Sequence, residues 1–548
     1  MESVVRKDIS GWSVRWDEAH ARRWVRDGKW LNRTVADRAR ELAEVSPERV
    51  MLVCAGREIT AREVWDNATR LASAMWAHGL RAGDVVAFQV PNWHEAAFIN
   101  VAACMLGVVV CPIVPIYRHH EVEQILKDSR AKGIFVAATF RGFDYAAMMV
   151  ELRPALPALQ HVWTVRGAVD SKHDLRALIT DAPPLPALPP VSPDAVKIVL
   201  YTSGTTGRAK AVLHSHNTLS RAVLDNARHW GIGQGDTVLM PSPVTHVTGY
   251  GHGLELPFHG GTRCVLMDKW NAADAADLID REQVGYILSA TPFLQELLDV
   301  AQSQGRQLPS LRLFPCGGAA VAPELIYRVA QVLPNCRSFR VYGSSEAPTI
   351  SLGFVRKDQL KLAAETDGEV IDYEARIIDA SGAVLPLGTE GEICARGASL
   401  FLGYADPAQS AEAFDADGYF KTGDIGYLTA DNAVVFTGRI KDLINRGGEK
   451  ISAKEVEDLL HQHPGVQSAA VVAMPHARLG ETVCAYVIAK PGAKVTAEDI
   501  TVLLDAAGVA KQKYPEKFIF VDDFPKTASG KVKKDLLRED VRERLRRA

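Results

Sequence analysis

The 548-residue sequence has no excess of either charge. Its 63 lysines and arginines face 66 aspartates and glutamates, for a formal net charge of −3. A chain without a broad basic field has no general means of holding a phosphodiester backbone or an anionic membrane surface, so no nucleic-acid partner is expected. No two of its eight cysteines, Cys54, Cys104, Cys111, Cys264, Cys316, Cys336, Cys394 and Cys484, fall at CxxC spacing. That removes the usual signs of a zinc site or a redox pair, and scattered thiols suit a reducing cytoplasm. The opening MESVVRKDISGW lacks the apolar run of a secretory signal. No repeat recurs at a solenoid period. GxGxxG is also missing, because Leu254 breaks the GYGHG segment at 249–253.

Long uncharged runs are scarce too, with one exception. Residues 96–116, AAFINVAACMLGVVVCPIVPI, are long enough to span a bilayer. Asn100 interrupts them early, Gly107 sits mid-run, and Pro112 and Pro115 close them. The pattern therefore predicts a buried helix to about Leu106 followed by a buried strand, and no stable membrane span.

What remains is the balance of a globular chain, 47% hydrophobic and 24% charged. Helical periodicity covers 34–45 and 61–79. Runs such as VVAFQV, GIFVAA and IVLYTS alternate with helices to about residue 340, which predicts an α/β fold of helix-covered, mostly parallel sheets. The proline-rich DAPPLPALPPVSPD reads as a surface linker. Short strands and turns from about 366 predict a small β-rich subdomain. After Arg439 the texture changes again, with a helix opened by Ser452 at capping-box spacing from Glu455. The expected organisation is a large N-terminal domain over 1–438, a hinge at 439–441, and a small mobile α+β C-terminal domain over 442–548.

The strongest local signal is YTSGTTGRAK at 201–210. It follows an apolar strand. Thr202, Ser203, Thr205 and Thr206 offer hydroxyls, Gly204 and Gly207 let backbone N–H groups approach an anion, and Lys210 adds a point charge. This is a cradle for triphosphate without the GxxxxGK[ST] of a Walker A loop. Three histidine pairs, His119/His120, His214/His216 and His461/His463, have no carboxylate or cysteine at ligand spacing and are read as surface or loop residues.

Seven further segments follow in order: PSPVTHVTG (241–249), CGGAAV (316–321), VYGSSEAP (341–348), GEICARG…GY (391–404), YFKTGDIG (419–426), GRIKDLINRGGEKIS (438–452) and PKTASGKVKK (525–534). Together they resemble the acyl-adenylate-forming superfamily, which includes acyl-CoA synthetases, aryl-CoA ligases, luciferases and peptide-synthetase adenylation domains. The resemblance covers nearly the whole chain. It leans toward the medium-chain and cyclohexanecarboxylate-CoA ligase branch through ARRWVRDGKWLNRTVADRARELA and RGFDYAAMM.

The resemblance implies ATP, Mg²⁺ and coenzyme A as cosubstrates and cofactors. It implies Glu346 as the Mg²⁺ ligand, a hard oxygen for a hard cation. Ser345, where the family usually has threonine, would bond the α-phosphate beside Gly343 and Ser344. Tyr342 would stack on adenine, with Gly317, Gly318 and Ala319 against the other face. Asp424 would bond the ribose hydroxyls, with Arg439 beside it. Lys531 would meet the charge that builds on the α-phosphate as a carboxylate attacks. His246 would gate the acyl pocket, whose walls are expected from His246, Val247, Gly251, Thr291, Pro292 and Ala319. These are mostly small and uncharged and suit an apolar acid. Lys441 matches the family's hinge, and Arg446, Gly447 and Gly448 match the segment that lines the thiol tunnel.

The expected reaction is activation of a carboxylic acid as an acyl-adenylate, then thioester formation with CoA. Only 17 residues follow Lys531, so no fused carrier domain is expected. A separate acyl-carrier protein is the alternative acceptor. A nucleotide sensor on the same fold is the non-enzymatic alternative, disfavoured because Glu346 and Lys531 are both retained. A homodimer is left open.

Overall fold

The computed structural model describes residues 4–547 apart from 169–171, 189, 203–208, 319–320 and 528–530. Ser203, Gly204, Thr205, Thr206, Gly207 and Ala319 therefore lie outside the described residues.

The first sheet has the strand order His161–Val165, Gly133–Ala137, Val85–Gln89, Val109–Pro112, Val196–Thr202, Lys210–Ser215, Gly403–Tyr404. The first five run parallel. The last two add antiparallel strands at one edge. Parallel strands must be covered on both faces, and the runs Val85–Val90, apolar but for Gln89, and Gly133–Ala137 are buried throughout. A second sheet places Thr237–Met240, Arg263–Leu266 and Val50–Cys54 parallel, with Arg57–Thr60 turned back antiparallel. The parallel pair Leu313–Gly317 and Arg337–Val341 joins it through Tyr286, which bridges Val238 and Leu313.

The helices expected from periodicity form, and each is opened by a side-chain cap. Thr34 caps Val35–Val45 in a reciprocal box with Asp37, and Thr60 caps Ala61–Ala77. The long uncharged run folds as the helix Glu95–Leu106, nearly all buried, ended by Gly107 at φ 66° and followed by the strand Val109–Pro112. Among the described residues no helix is long and apolar enough to cross a membrane.

The β-rich subdomain is a four-stranded antiparallel sheet, Tyr373–Ile378, Gly391–Gly397, Phe420–Leu428 and Val434–Arg439. A single 3₁₀ turn, Ile440–Asp442, leads out of it. Beyond that turn the hairpin Val466–His476/Gly480–Ala489 carries a five-stranded sheet. Ala453–Leu460 packs on that sheet, and so does the terminal helix Lys534–Arg547. Two apolar clusters belong to this C-terminal unit alone, one around Ile444, Val456 and Val471, the other around Val472, Tyr486 and Val541. Ser452 caps Ala453–Leu460 as expected, while the Glu455 side chain pairs with Lys513 at 2.6 Å.

Candidate active site

The strand Val196–Thr202 pairs with Lys210–Ser215, and Thr202 stands opposite Lys210. Lys210 Nζ lies 4.7 Å from the centroid of the Tyr404 ring. Tyr404, on the neighbouring edge strand, donates its hydroxyl to Glu346 Oε1 at 2.8 Å. One carboxylate oxygen of Glu346 is thus held by a phenol. Burial, and next the Glu346 charge, raise the Tyr404 phenol far above its usual range. The Glu346 turn is fixed from three sides. Ser344 Oγ accepts from Glu346 N at 3.2 Å and Ala347 N at 3.3 Å. Glu346 O accepts from Phe401 N at 2.9 Å. His214 Nε2 bonds the carbonyl of Ser345 at 2.8 Å.

That last contact corrects the surface reading of His214 and His216. Both are buried, at 0% and 3% exposure. Burial lowers His214 to about 4, so at neutral pH it is an uncharged imidazole donating through Nε2 and accepting from the Thr218 hydroxyl at 3.0 Å. Strand alternation turns it inward, and no local pattern marks that direction.

Two glycines beside Tyr342 let the protein's own backbone pack closely. A Cβ on Gly317 would sit 2.4 Å from the Val341 carbonyl, and one on Gly343 the same distance from the Pro348 carbonyl. Both positions require glycine for this close backbone approach. Tyr342 lies between them in the chain, its ring stacked 6.0 Å from Phe436. Its hydroxyl donates to Asp424 Oδ2 at 2.7 Å. Arg439, opposite Asp424 across the strand pair, contacts Oδ1 at 3.3 Å. Burial raises the Asp424 carboxyl against the pull of Arg439 and Tyr342.

Lys531 comes from the C-terminal unit. Its Cε would be 3.7 Å from a Cβ on Gly318, and its loop is pinned by Thr527 N to Lys531 O at 2.7 Å and Lys531 N to Thr527 Oγ1 at 3.0 Å. Burial, then the Arg439 cation, lower its ammonium to about 8, while Asp424 and Glu346 hold it up. Burial, then Lys531, likewise lower His246 to about 4, which leaves a neutral ring facing the same centre. Lys531 is therefore within electrostatic reach of Glu346, of the Asp424–Arg439 pair and of His246. Lys441, in the 3₁₀ turn, is also lowered by burial and by Arg439, and the adjoining Asp442 pairs with Arg538 of the terminal helix.

Arg446, Gly447 and Gly448 are not brought to this centre. Arg446 pairs with Glu516 at 2.7 Å, and Gly447 N donates to Leu479 O at 2.9 Å. Both contacts lie inside the C-terminal unit.

The residues present fit a nucleotide and a hard cation. Among the described residues no three acidic, histidine or cysteine side chains gather as a metal cage. A lone carboxylate fixed by a phenol is the donor set that Mg²⁺ accepts when phosphates and water complete its shell.

The pattern of the AMP-binding enzyme family matches residues 39–405, and that of the AMP-binding enzyme C-terminal domain matches residues 455–531. The chain belongs to the AMP-binding enzyme family. The medium-chain fatty-acid–CoA ligase of Escherichia coli is 34% identical over 97% of this chain and 95% of its own length. The 2,3-dihydroxybenzoate-AMP ligase of Bacillus subtilis is 30% identical over 97% and 98%. The crystal structure of ATP-bound MatB from Rhodopseudomonas palustris superposes with a TM-score of 0.81 at 27% identity, covering 92% of this chain and 98% of that one. Within this AMP-binding enzyme, motif reading missed Tyr404 and His214 as site residues. Tyr404 closes the GEICARG…GY segment. Its partner is 58 residues away, and nothing local points to it.

Proposed function

We propose that this enzyme activates an apolar medium-chain or cyclic carboxylic acid with ATP to an acyl-adenylate and transfers the acyl group to coenzyme A. The observation that carries the reading is the convergence of Lys531 on Glu346, Asp424 and His246 from a separate structural unit.

In the first half-reaction a carboxylate oxygen attacks the α-phosphorus and pyrophosphate leaves. Negative charge grows on the α-phosphate, and the partly desolvated Lys531 ammonium is aimed where that charge develops. Asp424, backed by Arg439 and Tyr342, accepts from the ribose hydroxyls. Adenine stacks on Tyr342. The neutral His246 ring donates a hydrogen bond to the incoming carboxylate without neutralising the attacking oxygen. When bound, Mg²⁺ offsets phosphate charge, with Glu346 as its protein ligand and Tyr404 fixing which oxygen is free to serve.

In the second half-reaction a thiol sulfur attacks the acyl carbon and AMP leaves. Lys531 occupies the approach side, so the C-terminal domain, 442–548, turns about 439–441 and brings Arg446, Gly447 and Gly448 toward the thiol. The boundary is the single 3₁₀ turn between two sheets with separate cores. Coenzyme A is favoured as acceptor by the CoA-ligase relative. The second reading, transfer to a separate carrier protein, is kept because the 2,3-dihydroxybenzoate-AMP ligase relative is named for the adenylate and not for a CoA product. The test is to incubate the protein with ATP, Mg²⁺ and a panel of carboxylic acids, with and without coenzyme A, and to identify products by mass spectrometry. An acyl-CoA with released AMP supports the proposal. An acyl-adenylate that persists when coenzyme A is added supports the second reading.

A further inference from the structure

Asn100, the polar interruption of the long uncharged run, is completely buried. A buried amide needs partners for two donors and an acceptor. It finds them on one short segment. Its Oδ1 accepts from the Tyr250 hydroxyl at 2.6 Å. Its Nδ2 donates to Leu254 O at 3.2 Å and to Glu255 Oε1 at 3.0 Å.

Those partners bracket an irregularity. The helical segment that begins at His246 runs as α over Val247–Tyr250, as π over Gly251–Glu255, and as α again over Leu256–Gly260. A π turn holds one residue more than an α turn and is strained, so it persists only where its surroundings hold it. Here the amide spans it, gripping the residue before it and the last two residues within it. Glu255 anchors the far end. It is 1% exposed and pairs with Lys197, also 1% exposed, on the strand that feeds the phosphate cradle. Burial alone would raise the Glu255 carboxyl, but Lys197 and His259 override it and leave it at about 2. On the opposite side Gly251 fits tightly against the helix His216–Trp230, where a Cβ would stand 2.9 Å from Val223 Cγ1.

The turn has a consequence for the site because His246 stands at the N-terminus of this segment, where its carbonyl accepts from Tyr250 N at 2.8 Å, and its ring lies within electrostatic reach of Lys531. Each helical residue advances the backbone by about 100° and 1.5 Å. Relaxing the π turn to α would rotate Val247–Tyr250 by about that angle relative to Leu256–Gly260, moving the wall beside His246.

We propose that Asn100, with the Lys197–Glu255 pair, acts as a positioning staple that holds this π turn and so decides which acyl groups the site admits. The acyl part rests on the function proposed above.

The test uses Asn100→Leu and, should that variant not fold, the double variant Lys197→Met with Glu255→Gln, which removes both buried charges at nearly constant volume. Two readouts are taken. The first is hydrogen exchange of residues 247–260 in ligand-free protein, which needs no substrate. The second is kcat/KM across straight-chain and cyclic acids beside KM for ATP. The staple predicts exchange at 251–256 accelerated at least about tenfold beyond that of the central sheet. It also predicts a shift of at least about tenfold in the ratio of kcat/KM between the best acid and its next homologue, with KM for ATP unmoved. A folded variant with unchanged exchange at 251–256 overturns the staple. So does a uniform fall for every acid and for ATP, the mark of a merely structural role. A wild-type protein that activates no acid defeats the proposed function instead, while the exchange result still decides whether the staple exists.

Discussion

Replacing Lys531 with alanine separates the two half-reactions. Its ammonium reaches the centre from the C-terminal unit, over the bare Gly318 backbone, within the field of Glu346 and Asp424. One preorganised electrostatic contact of this kind is worth about 10²–10³ in rate, or about 2.7–4 kcal/mol of transition-state stabilisation. Adenylation should fall by that factor. Transfer from pre-made acyl-adenylate to coenzyme A builds no new charge on the α-phosphate, so it should be retained. The pH profile supplies a second signature. Burial and Arg439 lower the ammonium to about 8, so the charge is present below that pH and lost as pH rises through it. In the wild type kcat/KM for adenylation should decline above about pH 8, with about one-tenth of the lysine still charged one unit higher. Bound phosphates favour the charged form, so the decline in kcat lies at higher pH. In Lys531→Ala the alkaline decline should vanish. The assay is ATP–pyrophosphate exchange between pH 6.5 and 9.5, run beside thioester formation from synthetic adenylate. Normal exchange in the variant, or equal loss of both half-reactions in folded protein, would refute the reasoning.

Glu346→Gln should weaken use of Mg·ATP, since an amide oxygen is a poorer ligand for a hard cation; titrating Mg²⁺ at fixed ATP checks this, and unchanged affinity and turnover would remove Glu346 as ligand. Tyr404→Phe deletes a hydrogen bond to a charged group worth about 1.5–3 kcal/mol and should raise the Mg²⁺ requirement while leaving thiolysis intact, measured by the same titration. Lys441→Pro fixes φ near −65° in the turn between the two sheets; adenylation should survive and acyl transfer fall, read as pyrophosphate release outrunning thioester formation. Gly317→Ala places a methyl 2.4 Å from the Val341 carbonyl and should lower Tm and abolish adenylate formation, whereas a variant of wild-type stability and activity would show that the strand yields there.

The linear order of the residues determined much of this enzyme. Short apolar runs alternating with period-3.6 segments marked the parallel sheets and the helices at 34–45 and 61–79, because strands covered on both faces are apolar nearly throughout while helices covered on one face repeat. Contiguous motifs named Glu346, Asp424, Lys210 and Lys531, because each lies in a short run of residues whose composition marks it locally. The tertiary structure alone decided what holds those groups. Tyr404 meets Glu346 across 58 residues, His214 meets Ser345 across 131, and Asn100 meets Glu255 across 155. A hydrogen bond between elements far apart in the chain has no period and no local spacing. In the sequence Asn100 reads only as a blemish in an apolar helix, and His214 only as half of an exposed pair. Their direction, and the burial that keeps His214 neutral, arise when the sheets close around them.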